Sequence, residues 1–230
     1  MKKLGLVLGG GGARGYAHIG VLKALAKHNI KVRCIAGNSM GAVIAAYYAL
    51  HLNVEGAEKF ALSFTRKDTF SLLDFNNPKI SFLKVVKIKE ILKRFFEGKT
   101  FEDTKIPLRI LATCIDTGEP YIFSSGSILD AVIASCALPG VFPVVEISGR
   151  HLVDGGLAEP ASIESLKGMC EKIIAVSLFK FQQEKLNDYG TSEVLAKTYQ
   201  LVVSRFFSYK KSKNILEIQP EIRAHVYDFF

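Results

Sequence analysis

Short apolar runs alternate along the chain with stretches of helical periodicity. Leu4 to Leu8 forms the first apolar run, and after four glycines Ile19, Leu22 and Leu25 recur at the spacing of one helix face. A second apolar run, Val32 to Ala36, again precedes a helix-like stretch. Each of these two units is therefore predicted to be a strand followed by a helix.

The same alternation continues along the chain and indicates the fold class. It predicts an α/β protein, a three-layer α/β/α sandwich with a mostly parallel central sheet. Because 230 residues can fill one hydrophobic core, residues 1–230 are predicted to form a single domain. The further predicted helices span Ala42 to Leu50, Ser127 to Ala137 and Ser162 to Lys167, and the further predicted strands span Leu108 to Ile115, Tyr121 to Phe123, Val144 to Val153 and Lys172 to Phe179.

Two amphipathic segments stand apart from this alternation. Residues 60–101 contain half of the 16 phenylalanines, and their second half is rich in Lys and Arg. Residues 191–213 combine helical spacing with a basic end. Either segment is a helix packed on the core with a solvated basic face, or a cover that binds acyl chains and touches anionic lipid. In the second case residues 60–101 form a lid or an acyl-binding insertion.

A G-x-S-x-G sequence lies between the second predicted strand and its helix. Residues 37 to 41 read Gly-Asn-Ser-Met-Gly. A serine on such a sharp turn is held in strained backbone geometry with its hydroxyl exposed. Ser39 is therefore the candidate nucleophile, although Gly and Ser are also common in ordinary turns.

The glycines after the first predicted strand are a candidate anion site. Backbone N–H groups of Gly9 to Gly12 and the following helix start can point at a phosphate or an oxyanion. A dinucleotide site expects an acidic residue about 20 positions later, whereas Glu55 is the first acidic residue of the chain. A P-loop is excluded because no Gly-Lys-Ser or Gly-Lys-Thr closes the loop. An oxyanion is the interpretation that fits best.

A serine nucleophile needs a base, and Asp154 is the best candidate. It follows an apolar run, and the two glycines after it leave the approach to its carboxyl group open. The alternative is that Asp-Gly-Gly is only a turn. A histidine base is also possible in principle, because the order Ser39, Asp154, His225 matches that of α/β-hydrolases. Against it, the glycine loop precedes the first helix, His225 has no flanking glycines, and His151 points away from Asp154 on the same predicted strand.

Composition narrows the possible classes of function. The net charge of +8 would suit nucleic acid, but no nucleic-acid-reading motif accompanies it, so nucleic acid is an unlikely partner and anionic lipid is favoured. The four cysteines form no C-x-x-C pair, which predicts reduced thiols, a cytoplasmic protein and no structural metal. The longest apolar stretch is about half the length of a bilayer-spanning helix.

Four motifs stand in the chain with a characteristic order and spacing. They are Gly10-Gly11-Gly12-Ala13-Arg14-Gly15, Gly37-Asn38-Ser39-Met40-Gly41, the block Ala134 to Pro143, and Asp154-Gly155-Gly156. Together they resemble the patatin-like phospholipases, from Leu4 to about Phe179 and more weakly to the end. Glu159-Pro160 departs from the Asn-Pro pair of many bacterial members, which leaves open what supports the Asp154 loop.

The resemblance implies a patatin-like fold and a Ser-Asp dyad that needs no metal or organic cofactor. Ser39 would be the nucleophile and Asp154 its base. The backbone N–H groups of Gly10, Gly11, Gly12 and Met40 would form the oxyanion hole. The motif residues that would shape these loops are Arg14, Gly15, Gly37, Gly41, Gly155 and Gly156.

We therefore expect a serine acyl hydrolase that cleaves carboxylic esters of phospholipids or lysophospholipids. It is expected in the cytoplasm, with peripheral contact at the anionic inner membrane surface. The alternative is a non-catalytic module on the same fold that binds lipid or a protein partner. A probe that reacts with an activated serine separates the two hypotheses.

Overall fold

The structure, a computed structural model, describes residues 3–63, 89–160, 162–178, 191–206 and 213–222. Within these ranges one sheet has the strand order β5-β6-β3-β2-β1-β7-β8, with β4 also paired to β3. Strands β3, β2, β1, β7 and β8 run parallel, and β4, β5 and β6 join by antiparallel pairings. The strands are β1 (Leu4–Leu8), β2 (Cys34–Asn38), β3 (Leu108–Cys114), β4 (Pro120–Phe123), β5 (Val145–Ile147), β6 (Arg150–Asp154), β7 (Lys172–Val176) and β8 (Ile215–Ile218).

Helical segments cover both faces of this sheet. Consecutive side chains of β1 enter different cores, since Leu6 and Leu8 pack with the long helices while Val7 packs with Ile163 and Leu166 on the other face. The predicted α/β sandwich is thereby confirmed. The helices are α1 (Ala17–Lys27), α2 (Met40–His51), α3 (Val54–Leu62), α4 (89–96), α5 (Ile128–Ser135) and α6 (Thr191–Phe206), with single 3-10 turns at Gly12–Tyr16, Phe101–Asp103 and Glu164–Leu166.

Two predicted elements are wrong in detail. The strand predicted from Val144 to Val153 is a hairpin of β5 and β6, because Ser148 (φ 52°) and Gly149 (φ 71°) form a two-residue turn with positive φ at both positions. The helix predicted near Ser162 to Lys167 is only the short turn Glu164–Leu166.

The ends of the predicted insertion pack on the core. The Phe60 ring lies 4.5 Å from the Phe95 ring and 5.8 Å from the Phe96 ring, centroid to centroid, and Phe96 is fully buried. Residues 64–88, the middle of the segment, lie outside the described residues. The lid therefore stays a prediction.

The cysteines differ from the sequence-based prediction of four reduced thiols. Cys34 of β2 and Cys170 are joined by a disulfide, whereas Cys114 and Cys136 are free. Gly5 makes room for this link, because a Cβ at that position would lie 2.5 Å from the Cys170 sulfur. Four reduced thiols therefore no longer support the predicted cytoplasmic location.

Two strands share one edge of β3 and meet end to end. Asn38 closes β2 opposite Leu111, and Asp154 closes β6 opposite the next residue, Ala112. Strand β4 pairs with both of these β3 residues along the opposite edge. Because β2 runs parallel and β6 antiparallel to β3, their C-terminal ends face each other. This brings the turn after β2 beside Asp154.

The glycine loop after β1 is clamped at the peptide that joins Gly9 to Gly10. The Gly9 carbonyl oxygen lies 2.8 Å from His18 Nε2, and the Gly10 N–H donates to Asn38 Oδ1 at 3.1 Å. His18 is fully buried, and burial lowers its pKa to about 4, so the neutral ring donates this bond. Because Asn38 directly precedes Ser39, the glycine loop and the Ser39 turn are tied together.

Acid should destabilise the fold through His18. The unfolded chain takes up a proton at the ordinary pKa of 6.5, which the native ring resists until about pH 4. This contribution is complete above pH 6.5 and falls by about 3 kcal/mol as the pH is lowered to 4. The measurement is urea unfolding across this range for the wild type and for His18→Gln, which keeps a donor but does not titrate.

The wild-type advantage in unfolding free energy over His18→Gln should shrink as the pH falls. The difference between the two proteins cancels the titration of the carboxylates that they share. A difference that stays constant from pH 6.5 to 4 contradicts the buried neutral histidine.

Candidate active site

Ser39 lies on a strained turn between β2 and α2. Its backbone has φ 53° and ψ −131°, a conformation that non-glycine residues rarely adopt. A Cβ at Gly37 would lie 2.5 Å from the Gly41 carbonyl oxygen, and one at Gly41 would overlap the carbonyl of Leu8. The sharp turn therefore depends on glycine at both flanking positions, and the predicted strand-turn-helix setting of Ser39 is observed.

Ser135 holds this turn from α5. Its hydroxyl accepts a hydrogen bond from the Ser39 backbone N–H at 2.9 Å and donates one to the Leu111 carbonyl at 2.5 Å. The side chain is fully buried. The Ala-Ser-Cys-Ala block of the sequence thus fixes the backbone of the candidate nucleophile to β3.

Asp154 is a buried carboxylate with two hydrogen-bond donors. Only 1% of the residue is exposed, and its Oδ1 accepts hydrogen bonds from the Gly156 N–H and from the Tyr199 hydroxyl, both at 2.8 Å. The Ser39 side chain lies near enough to this carboxylate to lower its pKa. Burial raises the pKa of Asp154, while nearby Ser39 and the hydrogen bonds from Gly156 and Tyr199 lower it, and burial prevails. The structure therefore brings Ser39 and Asp154 together.

The glycines after Asp154 allow two close approaches. A Cβ at Gly155 would overlap the Leu111 carbonyl, and a Cβ at Gly156 would overlap the Tyr199 hydroxyl. The Thr113 hydroxyl, which donates to the Asp154 carbonyl at 2.8 Å, fixes the same turn. Asp-Gly-Gly is thus a turn, but one whose lack of side chains lets Tyr199 reach the carboxylate.

The predicted oxyanion donors are not equivalent. The Gly10 N–H donates to Asn38, so in this structure it is not available to an anion, contrary to its assignment from the sequence. Among the described residues, no acceptor bonds to the N–H of Gly11, Gly12 or Met40. The loop lies against the candidate nucleophile, since a Cβ at Gly10 would be 3.1 Å from Ser39 Cβ.

Two further motif residues shape the start of α1. Arg14 is buried in the turn Gly12–Tyr16. Gly15 packs directly on Met40, whose side chain a Cβ at Gly15 would overlap. Gly15 thereby lets the start of α1 lie against the first turn of α2.

Glu159, the departure from the resembled family, supports the loop after Asp154. Its carboxylate accepts a hydrogen bond from the Glu164 N–H at 2.8 Å, and its own N–H donates to the Gly155 carbonyl at 3.2 Å. Burial raises the pKa of Glu159. The side chain thereby caps the turn Glu164–Leu166 and links it to Gly155.

The histidine alternative finds no support in the described residues. His151 is exposed, and its Nδ1 lies 2.9 Å from Asp116 Oδ2, so it points away from Asp154 as predicted. His225 lies outside the described residues.

No three His, Cys, Asp or Glu side chains in the described ranges cluster as metal ligands do. Likewise, none of the helices described here is long and apolar enough to span a bilayer.

Sequence reasoning missed Asn38, Ser135 and Tyr199 as parts of the site. Asn38 stands inside the G-x-S-x-G motif and Ser135 inside the Ala134 to Pro143 block, so motif membership could have marked both. Tyr199 has no such signal, because its contact with Asp154 spans 45 positions of sequence and its helix is recognisable only by apolar spacing.

Comparisons with known proteins extend these observations. An NTE family protein of Mycobacterium tuberculosis is 37% identical over 177 residues, covering 76% of this chain and 49% of that protein. Lysophospholipase nte1 of Aspergillus fumigatus is 34% identical over 196 residues, covering 83% of this chain and 13% of that protein. The chain thus spans about half of the first relative and a small part of the second.

The fold has a counterpart among solved structures. The crystal structure of VipD from Legionella pneumophila matches with a TM-score of 0.54 at 16% identity, covering 95% of this chain and 61% of that chain. The family model described as patatin-like phospholipase matches residues 6–167, which is more than half of the chain and contains Ser39, Asp154 and the glycine loop. The chain belongs to the patatin-like phospholipase family.

Proposed function

We propose that this chain is a serine acyl hydrolase that cleaves carboxylic esters of phospholipids or lysophospholipids. The observation that carries the proposal is the placement of Ser39, on its strained turn, beside the buried Asp154 carboxylate, where the ends of β2 and β6 meet. Relatives named lysophospholipase nte1 and patatin-like phospholipase domain-containing protein 6 support a lipid ester as substrate.

The chemistry proceeds through an acyl-enzyme. Asp154 takes the hydroxyl proton as the Ser39 oxygen attacks the ester carbonyl, and the proton then passes to the departing alcohol. Water, deprotonated by Asp154, attacks the acyl-enzyme and releases the fatty acid and free Ser39. Because burial raises the pKa of Asp154, the carboxylate is a stronger base than an exposed aspartate.

The oxyanion hole comprises the N–H groups of Gly11, Gly12 and Met40. The Met40 N–H lies at the start of α2, where the positive end of the helix dipole adds to its effect. Gly10 serves instead as an anchor through Asn38. Preorganised donors of this kind stabilise the tetrahedral intermediate without rearrangement.

A small apolar cavity lies beside Cys136, the residue that follows Ser135. Its volume is about 30 Å³, and its lining includes Ile133, Cys136, Phe142 and Val145. Burial, and then the charge of Asp154, raise the pKa of Cys136. Peripheral contact with anionic lipid and a cytoplasmic location remain predictions based on charge and composition.

A fluorophosphonate probe should label Ser39, and Ser39→Ala should abolish labelling while the protein stays folded. Asp154→Asn should lower kcat/KM for a lysophospholipid by at least about a thousandfold, because it removes the base of the nucleophile-base unit. His151→Asn, on the same strand but facing solvent, is the matched control and should stay within a few-fold of the wild type. Circular dichroism checks the fold of each variant.

Two outcomes would overturn parts of this proposal. A folded protein that binds lysophospholipid vesicles but takes up no probe supports the non-catalytic lipid-binding module instead. An inactive, folded His225→Asn variant would replace the dyad by a histidine-dependent mechanism.

A substitution in the oxyanion loop should lower turnover more than it weakens substrate binding. Gly12 has φ 55°, so an alanine there strains the loop and displaces its N–H groups, and kcat should fall about a hundredfold with KM within a few-fold. Gly118→Ala is the matched control, because Gly118 also has positive φ (76°) but open space around it and lies in a distant turn. Equal losses of kcat in both variants, in step with melting temperature, would contradict a catalytic role for the loop.

A further inference from the structure

Tyr199 joins the Asp154 site from a distant part of the sequence. It lies on α6, outside the residues 6–167 matched by the family model. Its hydroxyl donates to Asp154 Oδ1 at 2.8 Å, and this oxygen also accepts the Gly156 N–H at 2.8 Å. Gly156 permits this geometry because any Cβ there would overlap the Tyr199 hydroxyl. The absence of a side chain at Gly156 thus leaves the room that the Tyr199 hydroxyl occupies.

The hydroxyl remains a donor at any working pH. Burial and the charge of Asp154 raise the pKa of Tyr199 well above its ordinary value. The other described titratable group facing Asp154 is Cys136, whose pKa burial also raises, so its thiol stays neutral. Asp154 is therefore the group of this cluster that can take up a proton as the pH falls.

We propose that Tyr199 is a positioning residue that orients the Asp154 carboxylate and keeps it ionised, which rests on the proposed role of Asp154 as the base. Two donors on Oδ1 prevent rotation of the carboxylate about its Cβ–Cγ bond and leave Oδ2 to receive the Ser39 proton. Because the tyrosine bond lowers the pKa of Asp154, it extends the range in which the base is charged toward lower pH.

The test is Tyr199→Phe, which removes one oxygen and keeps the ring. The rate of fluorophosphonate labelling of Ser39, measured from pH 4 to 8, should show an acid limb that moves to higher pH by about one unit. For lysophospholipid hydrolysis kcat should fall about tenfold, with KM unchanged, because Tyr199 contacts the base and not the substrate. Tyr48→Phe, a partly buried tyrosine of α2, is the control and should leave the limb in place.

A second variant keeps the test informative if Tyr199→Phe fails to fold. 3-Fluorotyrosine at position 199 preserves the shape and is a stronger donor, so the acid limb should move to lower pH. A limb that stays at the wild-type pH in the folded variant, whichever of the two is measured, overturns the proposal.

A readout without activity separates this proposal from the proposed function. The carboxyl carbon of Asp154, followed by NMR in ¹³C-Asp-labelled protein, should titrate at higher pH in Tyr199→Phe than in the wild type. If Ser39→Ala hydrolyses as fast as the wild type, the hydrolase proposal fails, yet this shift can still be measured. An unchanged Asp154 titration in an active Tyr199→Phe protein rejects the role of Tyr199 alone.

Discussion

A buried carboxylate is the constraint around which this molecule is organised. An ionised aspartate with 1% of its surface exposed costs several kcal/mol of desolvation unless hydrogen bonds replace the lost water. Its two hydrogen-bond donors come from the turn after β6 and from helix α6, and Ser39 of the turn after β2 lies beside it. Because these segments are far apart in sequence, Asp154 is satisfied only when the fold is assembled. Folding and formation of the site are therefore one event.

The arrangement of strands explains how Ser39 and Asp154, the proposed nucleophile and base, come together. One edge of β3 holds β2 up to Leu111 and β6 from Ala112 onward, so the two strand ends face each other. Chain segments this close leave no space for side chains between them. Glycine is therefore required where the backbone passes a carbonyl, at Gly41 against Leu8 and at Gly155 against Leu111. Close packing of the backbone therefore explains the glycines of the family motifs as well as the chemistry of the site does.

The sequence predicts the elements whose causes are local. Strand β1 and the buried face of α1 follow from apolar spacing, and the turn at Ser39 follows from its flanking glycines. The hairpin between β5 and β6 was missed because its Ser148-Gly149 turn is a weaker signal than the apolar run around it. The Cys34–Cys170 link and the Tyr199 contact were missed because they join residues distant in sequence. Local patterns specify each partner's secondary structure but not which partner it meets.

A carboxylate can act as the base that we propose for Ser39, because burial raises its pKa and makes it more basic. The ring of His18 is already hydrogen-bonded to the Gly9 carbonyl. Because burial lowers its pKa to about 4, His18 is also a poor proton acceptor. His51 ends the 12-residue helix that Met40 begins, about 17 Å from the nucleophile. An exposed aspartate would also be too weak, but desolvation raises the pKa of Asp154 toward the range where proton transfer from serine becomes easier. The hydrogen bonds that make its burial tolerable act in the opposite direction, so the strength of the base is set by the balance between the two.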